Sequence, residues 1–253
     1  MTKHPEEANS PYGWEMALAW CPPADSPLVA RPGDPPGERA AGVRRSLSEQ
    51  AKVTRRYERV APLYDVYAAP MEWMGTGRRR RRLVSRARGR VLEVGVGTGK
   101  NLEYYAGGVE LTAVDVSPAM LARARRRAAR LRSLATFAVA DVGALPYPDG
   151  AFDTTVSTCV FCSVADPVAG LRELGRVTRV DGRILLLEHV RPEGRVSGWL
   201  ADVATPITRR LFGFRANRRT EANVGAAGLR IVDVARDGIW RSIVAAPAAG
   251  RRK

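Results

Sequence analysis

The sequence predicts an α/β fold in which a mostly parallel sheet carries helices on both faces. Three observations support this. From residue 90 onward, short β-branched and apolar runs alternate with helix-length segments, the pattern of a parallel sheet wound with crossover helices. The first run, Arg90 to Val94, leads straight into the glycine turn Gly95-Val96-Gly97-Thr98-Gly99. Glycines there allow positive φ and let backbone come close to a ligand. Near the end, Asp237-Gly238 joins two apolar runs and signals a hairpin, so the last strand runs antiparallel to the rest.

Residues 1–45 are rich in Pro, Gly and Ala, with Pro22-Pro23 and Pro35-Pro36, and are expected to be a disordered extension. Residues 46–88 read as a helical lid. Ser46-Leu47-Ser48-Glu49 has the form of a capping box, Pro62 interrupts the helix it opens, Leu63 to Trp73 is apolar and aromatic, and Gly75 and Gly77 break the chain. Arg78 to Arg82 begin the next helix. Five successive arginines read first as a solvated face, with contact to lipid phosphates as the alternative.

Residues 89–190 form the expected core. After the glycine turn, Lys100 to Tyr105 look like the opening of a helix. Then follow a strand at Glu110 to Val116, a helix from Ser117 to Arg132 with Ser117 as cap and Pro118 in first position, and strands at Ala135 to Ala140 and Phe152 to Thr158. A helix at Val168 to Val177, a turn at Asp181-Gly182 and a strand at Arg183 to Val190 complete this unit. Residues 191–228 are an expected helical cover. Trp199, Val203, Ile207, Leu211 and Phe214 recur at three- and four-residue spacing; this stripe should pack on the sheet or, functionally, roof an oily acceptor. Pro206 should kink or break that helix. Thr220 to Ala227 is a short helix, 229–247 is the closing hairpin with strands at Leu229 to Val234 and Ile239 to Ala245, and 248–253 is a basic tail.

At 253 residues the chain fits one sizeable α/β domain with appendages. Its formal net charge is +15, and all but four of its 41 basic residues are arginine. A basic surface attracts nucleic acid and anionic lipid alike. Cys21, Cys159 and Cys162 make no disulfide framework, so a reducing cytoplasm is expected, with peripheral contact at the inner membrane surface left open. No apolar run approaches the roughly 18 residues that span a bilayer. Ala17 to Cys21 follows Glu6, Glu7 and Glu15 and makes a poor signal peptide.

The chemistry lies in the spacing of the turn. A dinucleotide site needs a third small residue at position 100, which is Lys100, and Glu93 two residues before Gly95 would repel a pyrophosphate. S-adenosylmethionine, with no phosphate and two cationic groups, suits both features. Asp115 lies 20 residues after Gly95 at the end of the second strand, where a carboxylate can accept from ribose hydroxyls, and Asp141 ends the third strand.

This turn resembles the first motif of the class I S-adenosylmethionine-dependent methyltransferases. Arg56-Tyr57-Glu58-Arg59-Val60-Ala61-Pro62-Leu63-Tyr64-Asp65, Val94 through Leu102, Val160-Phe161-Cys162-Ser163-Val164, Leu186 through Arg191 and Asn217-Arg218-Arg219-Thr220 resemble one branch, methyltransferase type 11. That branch includes bacterial phospholipid N-methyltransferases, ubiquinone/menaquinone C-methyltransferases and alkyl-thiol methyltransferases. Val180-Asp181-Gly182 departs from its usual Pro-Gly-Gly turn.

The resemblance implies a Rossmann-like, seven-stranded sheet. It also implies S-adenosylmethionine as cofactor, with Tyr57 and Tyr64 closing over it and Asp141 meeting the adenine amino group. The cofactor residues it carries over are Tyr57, Tyr64, Glu93, Gly95, Gly97, Thr98, Gly99, Asn101, Asp115, Val116, Met120, Asp141, Val142, Thr158 and Cys159. The acceptor it implies is lipid-like or small and hydrophobic; the basic run Arg78 to Arg82 beside apolar Leu63 to Trp73 favours one at a membrane surface, a phosphatidylethanolamine-type amine first, with a quinone or thiol as alternatives.

His189, ending the fifth strand, is the candidate base, against a plain core histidine; Cys162 is the candidate to face the acceptor. Cys159-x-x-Cys162 has no second pair, so a zinc site is not expected. The nucleic-acid amino-methylating motif Asn/Asp-Pro-Pro-aromatic does not follow strand four, which counts against a nucleic-acid acceptor. An NAD-type oxidoreductase and a basic nucleic-acid-binding module remain the rival classes.

Overall fold

The computed structural model describes residues 54–55, 57–59, 61, 64–211 and 214–248. The extension at 1–45, the capping box at Ser46 to Glu49, Pro62 and all but the first residue of the 248–253 tail lie outside the described residues.

The strands are β1 Arg90–Val94, β2 Glu110–Asp115, β3 Thr136–Val139, β4 Phe152–Thr158, β5 Thr178–His189, β6 Leu229–Asp237 and β7 Trp240–Pro247. They lie in one sheet in the order β3-β2-β1-β4-β5-β7-β6. β1 to β5 pair in parallel, and β7 runs antiparallel between β5 and β6. This is the expected Rossmann-like sheet with its closing hairpin, turned at Gly238 with φ +58°.

Strand periodicity divides the core into two layers. Leu92 and Val94 of β1 with Ile184 and Leu186 of β5 join Leu171, Leu174 and Val177 on one face. Val91, Leu185 and Leu187 point the other way, to Leu83, Val84 and Ala128. A helix therefore covers each face: α4 Pro167–Val177 on the first, and α2 Gly77–Val84 with α3 Pro118–Leu131 on the second. The first long core helix starts at its expected Ser117 cap, and the second starts at Pro167, one residue before the expected Val168, with Asp166 as its cap. The Ser117 hydroxyl accepts from the Met120 N–H at 3.3 Å, and the Asp166 carboxylate accepts from Val168 and Ala169 N–H at 3.0 Å each.

Several expectations are corrected. Lys100 to Tyr105 does not open a helix; only Leu102–Tyr104 forms a 3₁₀ turn, because Asn101 and Tyr105 turn inward to Glu93 and Ala106-Gly107-Gly108 follows. β5 begins at Thr178 rather than after a turn at Asp181-Gly182. The register slips between Phe152 and Thr154, and residues 179–182 bulge past Asp153, whose carbonyl would lie 2.8 Å from a Cβ on Gly182. In the lid, α1 Tyr64–Met71 and α2 are joined by a π segment, Glu72–Thr76, where Gly75 takes φ +95°; Gly77 is already helical.

Pro206 does not break α5 Arg195–Leu211. The Thr205 hydroxyl donates to the Ala201 carbonyl at 2.7 Å and that of Thr208 to the Thr205 carbonyl at 3.2 Å, bridging the turns around the proline. The stripe divides: Trp199 and Val203 are exposed, whereas Phe214 meets the His189 ring of β5 edge-on at 5.2 Å, and the side chains of Ile207 and Leu211 lie outside the described residues. α6 Thr220–Ala226 completes the cover.

Candidate functional site

The strand order reverses between β1 and β4, and a crevice opens beyond the carboxyl ends of strands at such a point. A cleft lies there, lined by Gly95, Gly97, Asp115, Val116, Met120, Val142, Thr158 and Cys159 and covered by Tyr57 and Tyr64 from the lid. Ten of the expected cofactor residues thus come together. Gly95 has φ +64°, and a Cβ there would stand 2.3 Å from Val160 Cγ2. At Gly97, φ +56°, a Cβ would meet nothing within 4 Å. The Asp115 carboxylate accepts from the Gly97 N–H and the Ser117 N–H, both at 2.9 Å. Burial raises its pKa, and those backbone donors oppose the rise. The Tyr57 and Tyr64 rings lie 6.2 Å apart, and Tyr57 shares a 2.7 Å hydrogen bond with the Ser163 hydroxyl.

Five expected cofactor residues do not line this cleft. Glu93 is buried; its Oε1 accepts from Asn101 Nδ2 and its Oε2 from the Tyr105 hydroxyl, both at 2.8 Å. Its donors are thus its own neighbours, and burial pushes its carboxyl up to about 7. Asn101 also donates to Thr158 Oγ1 at 3.0 Å. The Thr98 hydroxyl donates to Asp65 of α1 at 2.7 Å, fastening turn to lid. Gly99 makes room for Leu102 and Ala124, which a Cβ would meet at 2.7 and 3.2 Å. Asp141 accepts from the Gly143 N–H at 2.9 Å, and its neighbours Ala140 and Val142 line the cleft instead.

Comparison with known proteins fits this geometry. A family model described as a methyltransferase domain matches residues 92–186. Over 160 residues the chain is 36% identical to the phosphatidylethanolamine N-methyltransferase of Cereibacter sphaeroides, covering 62% of this chain and 76% of that protein. The chain belongs to the class I S-adenosylmethionine-dependent methyltransferases. The methyltransferase is also 37% identical over 143 residues to the demethylmenaquinone methyltransferase of Thermus thermophilus, covering 54% of this chain and 65% of the relative. A Thermotoga maritima structure described as a methyltransferase, possibly for histamine, shares the fold with TM-score 0.61 at 18% identity, covering 77% of this chain and 99% of that one.

S-adenosylmethionine is the methyltransferase's cofactor, and the cleft suits it. Among the described residues its lining holds one carboxylate, Asp115, and no Lys or Arg. A pyrophosphate would find no counter-charge there, whereas a cationic donor finds one. Val116, Met120 and Val142 offer apolar walls for a purine.

A second, larger cleft adjoins the first across Tyr57, Tyr64, Cys159 and Ser163, which line both. Its lining mixes apolar Met71, Ala201, Phe214 and Trp240 with charged Glu72, Arg79, Arg80, Lys100 and Asp237, and Arg79 lies over the Trp240 ring at 5.6 Å. Cys162 and His189 both line it. Burial lowers His189 to about 4, so its imidazole is neutral, and its ring meets Phe214 and Trp240 edge-on at 5.2 and 6.2 Å. Burial pushes Cys159 up to about 12 and Cys162 well above the usual thiol range, so both are thiols rather than nucleophilic thiolates. Cys162 Sγ donates to the Cys159 carbonyl at 3.4 Å.

Arg80 and Glu188 are the functional residues that sequence reasoning missed. The arginine run is not wholly a solvated face. Arg80 is buried, donates to Asn101 Oδ1 at 3.0 Å and to Thr158 Oγ1, and pairs with Glu72 at 3.2 Å. Its spacing to Leu83, Val84 and Ala87 puts it on the inward face of the helical segment and could have marked it. Glu188 Oε1 accepts from the Val160 and Phe161 N–H groups at 2.8 and 3.0 Å, holding the loop that carries Cys159 to Ser163; burial raises it to about 7.

Replacing Arg80 by Met removes one partner of this buried set and should cost about 3 kcal/mol in urea unfolding; a loss below about 1 kcal/mol would return Arg80 to the solvated face. Glu93 and Glu188 are both raised in the folded state, so their contribution to stability is full below the unfolded carboxyl value of 4.5 and is lost as pH rises through about 7. Glu93→Gln should therefore shrink the difference in unfolding free energy between pH 5 and pH 8 by on the order of 1–3 kcal/mol relative to the parent, and equal pH slopes in the two proteins would contradict it.

Proposed function

We propose that this methyltransferase acts on an amphiphilic, lipid-like acceptor whose head reaches the neck between the two clefts, a phosphatidylethanolamine-type amine first. The shared wall of Tyr57, Tyr64, Cys159 and Ser163 carries this reading, because it places a large cleft of mixed character directly against the cofactor cleft. The phosphatidylethanolamine N-methyltransferase relative supports the choice of head group.

The bound cofactor supplies an electrophilic methyl on a sulfonium. The chain's task is then to hold the acceptor atom in line and keep water out. Tyr57 and Tyr64, half-buried and with pKa values raised by desolvation, close the neck as neutral phenols. Glu72 and Asp237 line the second cleft with Arg79, Arg80 and Lys100, charges of both signs that suit a zwitterionic head. Neutral His189 offers a hydrogen bond to the acceptor without adding charge. A quinone is the second reading: the corner formed by His189, Phe214 and Trp240 would flank a planar ring, and the demethylmenaquinone methyltransferase relative is in keeping with it.

Incubation with methyl-labelled S-adenosylmethionine and either phosphatidylethanolamine or a demethylated quinone should move label into the amine lipid; label in the quinone alone would favour the second reading, and label in neither would reject both. With the true acceptor, His189→Ala should lower kcat by about tenfold or more, while calorimetric cofactor affinity stays within about twofold; unchanged turnover would remove His189 from the mechanism.

A further inference from the structure

Helix α5 is turned inside out. Its small residues Gly198, Ala201 and Thr205, three and four apart, are buried, and Ala201 lines the acceptor cleft. Its large apolar residues Val196, Trp199, Leu200 and Val203, at i, i+3, i+4 and i+7, lie on the opposite face and are 72%, 60%, 53% and 53% exposed. A water-soluble surface helix shows the reverse arrangement. On the lid, which lines the same cleft through Met71, Glu72 and Thr76, Val66 is 74% and Trp73 90% exposed. Two elements bounding one cleft thus each present an aromatic outward, and exposed apolar surface of this kind marks an interaction site.

The charge identifies the occupant. The chain carries +15. Arg195 is exposed at the start of α5, and Arg78, Arg81 and Arg82 are exposed on α2. A second copy of the chain would bring like charge to this surface, whereas an anionic bilayer brings its complement, each basic residue near it contributing about 1 kcal/mol. No helix among the described residues is long and apolar enough to cross a membrane; apolar side chains and arginines acting together are the interfacial mode these elements offer.

The geometry points to an interfacial seat: the Val196–Trp199–Leu200–Val203 face of α5, with Trp73 of the lid, inserts into the head-group region of an anionic phospholipid bilayer and sets the acceptor cleft against it. This deepens the lipid-acceptor reading and rests on it only for its purpose, since vesicle binding needs neither acceptor nor turnover.

The test is co-sedimentation of the full chain with phosphatidylcholine vesicles, with and without about one-third phosphatidylglycerol, alongside the double variant Trp199→Ser/Leu200→Ser. The parent should partition at least about tenfold more strongly onto the anionic vesicles, and the double variant should lose at least about tenfold of that binding while its calorimetric cofactor affinity and melting temperature are kept. Absence of anionic-vesicle binding, or undiminished binding by a folded double variant, would overturn the seat. So would a concentration-dependent dimer, seen by sedimentation velocity, that the double variant abolishes, for the face would then belong to a second copy. A single variant, Val203→Ser, provides a milder second reading should the double variant fail to fold. Failure of the labelled-acceptor assay with vesicle binding intact would reject the acceptor and leave the seat standing.

Discussion

Burying Glu93 at the end of β1 sets terms for everything around it. A carboxylate away from water must be answered by protein donors. Here Asn101 and Tyr105 supply them from the segment just after the glycine turn. Asn101 can give its amide N–H groups to Glu93 and Thr158 only because its carbonyl faces Arg80. Arg80 in turn pairs with Glu72 of the π segment. One chain of polar contacts thus runs from strand to turn to lid, and the open side of the turn is left to Gly95 and Gly97. Cofactor turn and lid are therefore mechanically one unit, reinforced by Asp65, which accepts from Thr98 and pairs with Arg127 at 3.3 Å.

The same logic recurs at β5. Glu188 is a second buried strand-end acid, and backbone N–H groups of the loop after β4 answer it. That loop needs an uncommon conformation: Cys159 takes φ +59°, a left-handed value rare for a residue with a Cβ. The strain is confined to the residue that faces both clefts, where a sharp turn is required to bring backbone and thiol to the neck. Two acids, each solvated by a loop, fix the two sides of the crevice between β1 and β4.

The sheet was legible because periodicity and punctuation are local. β1 and β4 fell where their apolar runs lay, and Ser117-Pro118 and Asp237-Gly238 marked the start of α3 and the turn between β6 and β7 without tertiary help. The cleft was legible in part: Gly95, Gly97, Asp115 and Met120 follow from a strand-turn-helix pattern that puts ligand at strand ends. What failed was partnership. Nothing local says that Asn101 and Tyr105 will turn inward to one carboxylate, or that Arg80 among five arginines is the one facing the sheet until Leu83 and Val84 are placed. α5 failed for a different reason: an apolar stripe at helical spacing says that a face avoids water, and the spacing is silent on whether protein or another apolar phase covers it.

The thinness of that cover matters for methyl transfer. Small residues on the inner face of α5 bring its backbone close to the acceptor cleft, so a single helix, about 10 Å across, separates the cleft from whatever meets Trp199. A long-chain acceptor taken wholly into solution would expose its tails to water, at about 0.8 kcal/mol for each methylene. Seated at an interface, the protein needs only the head group to rise past α5 and the lid to the neck at Tyr57, Tyr64, Cys159 and Ser163, while the tails stay in hydrocarbon. On the proposed reading, the inverted amphipathicity of α5 and the mixed lining of the second cleft answer one requirement, that the polar end of the acceptor travels and the apolar end does not.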